Sequence, residues 1–148
     1  MIHANFSGDN IAHDTQTGTL PAAVALSSNS AAEIIVFNVE DRRGLMRLEG
    51  YTDQPLQMLK LSASAVVGKP RQDFVVSFAT GTVLMPYNNV TASAATPTSE
   101  LANGNPTAAA TYFAIEVDVT NKAEISLWVQ RLAGGTTTNV TVWARAAA

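Results

Sequence analysis

The sequence predicts an all-β domain, an antiparallel β-sandwich of jelly-roll type with an extended N-terminal arm and a long low-complexity loop. Runs of β-branched and aromatic residues with a period of two recur from Glu33 to Ala146. Turn residues punctuate these runs at short intervals, and no stretch carries the 3.6-residue period of an amphipathic helix. At 148 residues the chain has the length of one domain with one core.

The elements follow in order. Residues 1–32 mix Gly, Asn, Asp, Thr and Ser with short apolar pieces and read as an arm, with one short strand readable from Pro21 to Leu26. Residues 33–148 form the sandwich. Its first strand is Ile34-Ile35-Val36-Phe37-Asn38-Val39, ended by the polar turn Glu40-Asp41-Arg42-Arg43-Gly44. Leu45 to Asp53 follows, with Leu45, Arg47 and Glu49 on one face and Met46, Leu48 and Gly50 on the other; the close spacing suggests a hairpin with the strand before it.

Gln57 to Val67 reads as a longer strand that Gly68-Lys69-Pro70-Arg71 terminates. Asp73 to Met85 is again β-forming, and Gly81 marks a bulge or a bend within it. Residues 86–110 are small, polar and carry three prolines, a connection well beyond the usual length. Thr111 to Thr120 then alternates cleanly, with Phe113, Ile115, Val117 and Val119 on one side. Asn121-Lys122 turns the chain into Glu124 to Leu132, and Gly134-Gly135 turns it into Asn139 to Ala146.

If these last two strands pair around the Gly134 to Thr137 loop, Leu127 meets Ala144 and Val129 meets Val142. The opposite face then sets Trp128 against Trp143, Gln130 against Thr141 and Ser126 against Arg145, each pair about 5 Å apart. Two adjacent tryptophans outside the core form an apolar patch that monomers seldom leave open. Trp128, Trp143, Gln130, Arg145 and Thr141 are therefore the candidate interface or ligand residues.

Composition narrows the function. Charged residues make up 14% of the chain, where about a quarter is usual, so the surface is neutral and suits burial in an assembly. Nine Lys and Arg against twelve Asp and Glu give a net charge of −3, which argues against nucleic acid or an anionic membrane as partner. No apolar run reaches the about 18 residues of a membrane span, and no secretory signal is visible at the start. With no cysteine, thiolate chemistry and disulfides are excluded.

His3 and His13 lack a third metal ligand at helpful spacing. Nucleophile-elbow, Walker-type, dinucleotide-binding and EF-hand motifs are missing as well. Glu40 to Arg43 reads as a solvated turn, and Glu116 with Asp118 as the wet face of a strand. The expectation is a protein without enzymatic activity, cofactor or metal. The sequons at Asn89 and Asn139 are read as chance.

The stretches PYNNVTASAATPTSELANGNPTAAATYF and ISLWVQRLAGGTTTNVTVWARAAA resemble, in composition and organisation, small structural proteins of tailed-phage particles, the capsid decoration or cement proteins above all. The resemblance implies a β-fold protein, often trimeric, that sits on a major capsid protein in the virion and stabilises the shell through arm and edge contacts. A tail, neck or fibre component of a phage particle would leave a similar trace. The alternative from another class is a carbohydrate-binding or lectin-like sandwich that stacks sugars on Trp128 and Trp143, with Tyr51, Tyr87 or Tyr112 in support.

Overall fold

The computed structural model describes residues 1–6, 11–54, 56–73, 83–84, 111–132 and 136–146. Eleven strands cover most of them: β1 Ile2–Asn5, β2 His13–Asp14, β3 Val24–Leu26, β4 Ala32–Asn38, β5 Leu45–Thr52, β6 Leu56–Ser64, β7 Gln72–Asp73, β8 Val83–Leu84, β9 Thr111–Asp118, β10 Glu124–Arg131 and β11 Thr138–Ala146. Among the described residues there is no helix. The expected all-β architecture of two packed, mostly antiparallel sheets is present. The loop expected over 86–110 and most of the strand expected over 73–85 lie outside the described residues.

Sheet A runs β2-β1-β4-β10-β6-β7 and sheet B runs β3-β11-β5-β9-β8. From β3 to β6, and again from β9 to β11, every link between consecutive strands passes from one sheet to the other. Strands early in the chain pair with strands late in it: β3 with β11, β4 with β10, β5 with β9.

Both hairpins that the sequence suggested are therefore replaced by arches. β4 and β5 lie in opposite sheets, as do β10 and β11. An apolar alternating strand can satisfy its inner face with its successor beside it or across the core from it, and the period of two is the same in both cases. At one end of the sandwich the β4–β5 arch and the β9–β10 arch, which also crosses between the sheets, hold each other. Val39 N–H donates to the Ala123 carbonyl at 2.8 Å, Val119 N–H to the Gly44 carbonyl at 2.9 Å, and Gly44 N–H to Thr120 Oγ1 at 2.9 Å. Asn121, at a φ of 61°, makes the tight corner of the β9–β10 arch, a conformation its short polar side chain tolerates.

The core lies between the sheets. Ile35, Phe37, Leu59, Leu61, Ile125, Leu127 and Val129 come from sheet A; Met46, Leu48, Phe113, Ile115, Val117, Val140, Val142 and Ala144 come from sheet B. The alternation expected for β5 and β11 matches the burial seen, whereas β10 is buried on both faces from Glu124 to Leu127. Gly50 sits between Val142 and Phe113 in the ladders of sheet B. A Cβ there would lie 2.8 Å from Phe113 Cε1 and closer still to Cζ, so the missing side chain is the space the ring occupies.

The leading segment is built into both sheets. β1 runs parallel to β4, and β2 folds back on β1. Ile11 then bridges Arg145 of β11, and Ala12 N–H donates to the Ala144 carbonyl at 2.7 Å. Ala4, Phe6, Ala12 and Leu26 are buried in the core. Arg42 packs its guanidinium over the Phe6 ring, 4.3 Å from the centroid. The apolar residues of this segment are too far apart to show a period, which is why it reads as an arm.

Replacing Gly50 by Ala is expected to cost roughly 1–3 kcal/mol in urea unfolding through overpacking. Combined with Phe113→Leu, which frees the space, the loss should fall well below the sum of the two single changes.

Candidate functional site

The five candidate residues fall on two faces. Trp128 and Gln130 are on the outer face of sheet A, while Thr141, Trp143 and Arg145 are on the outer face of sheet B. The expected ladder pairing Trp128 with Trp143 is not formed. β10 instead pairs with β4 and β6, setting Trp128 beside Glu33 and Lys60. β11 pairs with β5, setting Trp143 beside Glu49, Thr141 beside Tyr51 and Arg145 beside Arg47. The tryptophans are thus separated by the full thickness of the sandwich.

The outer face of sheet A is organised by a bulge. With Ile35 facing the core, strict alternation would bury Glu33 in the core and turn Ile34 outward. The register shifts between Leu127 and Trp128, so that Leu127 faces Ile35 and Trp128 faces Glu33, leaving Ile34 as the extra residue. Ile34 is buried in the core, and Glu33 takes the outer face.

There Glu33 meets Arg71, the last residue of the loop between β6 and β7. Arg71 Nε donates to Glu33 Oε2 at 2.9 Å, and its Nη2 bonds Glu33 Oε1. Its Nη1 reaches Glu124 Oε2 of β10 at 2.8 Å. One guanidinium thus joins two carboxylates from neighbouring strands. All three side chains are at most 16% exposed, so the ion pairs are shielded from much of the solvent screening that weakens surface pairs. The backbone N–H of Gly68 also donates to Glu124, at 3.4 Å, tying the loop down a second time.

Beside this clasp lies a short chain of hydrogen bonds that ends on Trp128. Ser62 and Ser126 share a bond of 2.5 Å, and Trp128 Nε1 donates to Ser62 Oγ at 3.0 Å. An indole N–H only donates, so Ser62 is the acceptor. Ser126 and Ser62 are buried on this face. Lys60 Nζ lies 5.3 Å from the centroid of the Trp128 ring, and Gln130 donates to the Asn29 carbonyl at 2.7 Å.

Burial pushes the Glu33 carboxyl up, but the hydrogen bonds from Arg71, the nearby Ser126 hydroxyl and the charges of Arg71 and His3 together outweigh it and hold the group below its ordinary value. The hydrogen bond to Glu33 leads in raising the Arg71 guanidinium, against burial and with help from Glu124.

The outer face of sheet B has a looser counterpart centred on Glu49. Trp143 Nε1 donates to Glu49 Oε2 at 2.7 Å, Arg145 Nε lies 3.1 Å from the same oxygen, and Arg47 Nε lies 2.8 Å from Oε1. The two arginines are 39% and 45% exposed, so their ion pairs add little to stability. Glu49 also separates the charges of Arg47 and Arg145, which sit directly opposite each other in the ladder.

Arg71, Glu33, Glu124, Ser62 and Ser126 were not singled out by the sequence. The available signal was a pair of small polar residues, Ser62 and Ser126, at outward positions of two β-forming strands. Among the described residues, no group of three His, Asp or Glu is placed to hold a metal ion.

No family model and no curated protein matches the chain. Among solved structures, the crystal structure of the SPBc2 prophage-derived protein YomS is similar over 86% of this chain and 96% of that one, at 10% identity and a TM-score of 0.46.

Replacing Trp128 and Trp143 by Phe, singly and together, should give losses of stability that add to within about 0.5 kcal/mol in denaturant unfolding. Tryptophans in contact would instead show a coupling of about 0.5–1.5 kcal/mol.

Proposed function

We propose that the chain is a non-enzymatic structural protein of a phage particle, a capsid decoration or cement protein that binds the major capsid protein and itself, as a homotrimer. Its place is then the virion, after synthesis in the host cytoplasm. The observation that carries this reading is the presence of a half-buried tryptophan on each outward face, its indole N–H engaged and its ring bordered by charged side chains. Tryptophan and arginine are favoured contact residues, and a fixed ring loses little entropy when a partner covers it.

Two such faces on opposite sides suit a subunit seated between neighbours, where several modest contacts add up through avidity. The nested pairing of early with late strands reads as a jelly roll, an arrangement that serves capsid proteins and lectins alike. With the leading segment woven into the sheets, the contacts of this reading come from the sheet faces. A tail, neck or fibre position would use the same faces.

Light scattering at tens of micromolar is expected to give a trimer, and Trp128→Ala or Trp143→Ala to weaken assembly more than folding. A strict monomer whose two indoles are both open to a neutral quencher would contradict the proposal. The exposed part of each ring also favours a second reading, a carbohydrate-binding or lectin-like module. Saturable quenching of tryptophan emission by a glycan would replace the structural reading with that one.

A further inference from the structure

We propose that residues 65–71 are a strap across the outer face of sheet A, latched by Arg71, and that this face has two forms: the closed one seen here, and an open one in which Val36 and Ser126 are bared beside Trp128. The inference concerns the chain by itself and holds whatever partner the face receives.

The ladder positions show what the latch covers. Along β4 and β10, Trp128 stands beside Glu33, Ser126 beside Val36, and Glu124 beside Asn38. The Val36–Ser126 pair therefore lies between the two carboxylates. A guanidinium that bonds Glu33 through Nε and Nη2 and Glu124 through Nη1 has to sit over that pair. Both residues are on the solvent side of the sheet, yet Ser126 is 0% and Val36 2% exposed.

The strap itself has little else to hold it down. Residues 65–70 are all exposed, Val66 and Val67 included, so the segment buries no apolar side chain that would tie it to the core. Ser64 Oγ donates to the Val66 carbonyl at 2.6 Å and accepts from the Val66 N–H at 3.1 Å, while the Lys69 N–H donates to the same carbonyl at 3.3 Å. These bonds shape the strap and survive its lifting. Its ends are hinged on β6 at Ser64 and on β7 at Gln72, which pairs with Ala63.

Among the described residues, the hydrogen bonds from strap to face are those of Arg71 and the long one from the Gly68 amide to Glu124, at 3.4 Å. Charge-assisted bonds from a fork of nitrogens far outweigh one long amide bond, so Arg71 decides whether the strap stays closed. Without the guanidinium, Glu33 and Glu124 lose their shared counter-ion, and the water they then need favours the open form. A segment with this balance opens locally, well before the sheets part.

The chain has no cysteine, so one introduced thiol reports on one position. Val36→Cys places it under the latch, and Val142→Cys places it in the core; the two valines are each 2% exposed. Modification by an aromatic disulfide reagent is followed at neutral pH in low concentrations of urea. The Val36→Cys thiol should react at least about tenfold faster than the Val142→Cys thiol, at a rate that urea barely changes, whereas the core thiol should speed up with urea as global unfolding does. Adding Arg71→Gln should raise the Val36→Cys rate by a further factor of about ten and leave it insensitive to urea.

A Val36→Cys rate that climbs with urea in parallel with the Val142→Cys rate overturns the proposal, because the position is then reached only by unfolding. So does a rate that Arg71→Gln leaves unchanged. If Arg71→Gln does not fold, Arg71→Lys decides: it keeps the charge but not the fork, and an unaltered Val36→Cys rate there overturns the latch.

Discussion

The insertion of β10 between β4 and β6 is the interaction on which the rest of the molecule depends. Its inner side chains, Ile125, Leu127 and Val129, are fully buried and meet Phe37, Ile35 and Ala32 on one side and Ala63, Leu61 and Leu59 on the other. Its outer side chains, Glu124, Ser126 and Trp128, supply in turn a member of the carboxylate clasp, a member of the serine pair and the half-buried ring. A single strand thus carries both the centre of sheet A and the groups that decorate it. A change to its register would move both sets together, because a slip of one residue exchanges the two faces.

The two outer faces show how burial grades similar chemistry. Each gathers a tryptophan, a carboxylate and at least one arginine. On sheet A the guanidinium is largely covered and spans two carboxylates, so loss of either partner strands a charge away from water. On sheet B the arginines reach solvent, and the same kinds of contact fix geometry more than they stabilise. The bulge in β4 accounts for the difference on the first face, since without it Glu33 would point into the core.

The strands themselves were legible. β5, β9 and β11 each have one dry and one wet side, and the alternation of Phe113, Ile115 and Val117 or of Val140, Val142 and Ala144 reports it directly. Their neighbours were not legible, since Leu127 beside Ala144 and Leu127 across the core from it write the same pattern. For that reason the paired tryptophans dissolved into two separate sites. Glu33 was hidden by a bulge that breaks the period of two, and Arg71 by a Gly-Lys-Pro-Arg stretch that reads only as a turn. The leading segment reads as an arm because Ala4, Phe6 and Ala12 enter the core one at a time.

The crossing of each link from β3 to β6 between the sheets has a consequence for how the protein is made. Ile34, Ile35, Val36 and Phe37 leave the ribosome as a strand whose antiparallel partner, β10, is encoded roughly ninety residues downstream, on the order of ten seconds later at ordinary translation rates. During that interval β1 can cover one edge of β4 by parallel pairing, while the other edge has no native partner to find. The nascent chain must therefore keep an apolar, β-forming edge from sticking to its neighbours on the polysome until the second half of the sandwich emerges to close it.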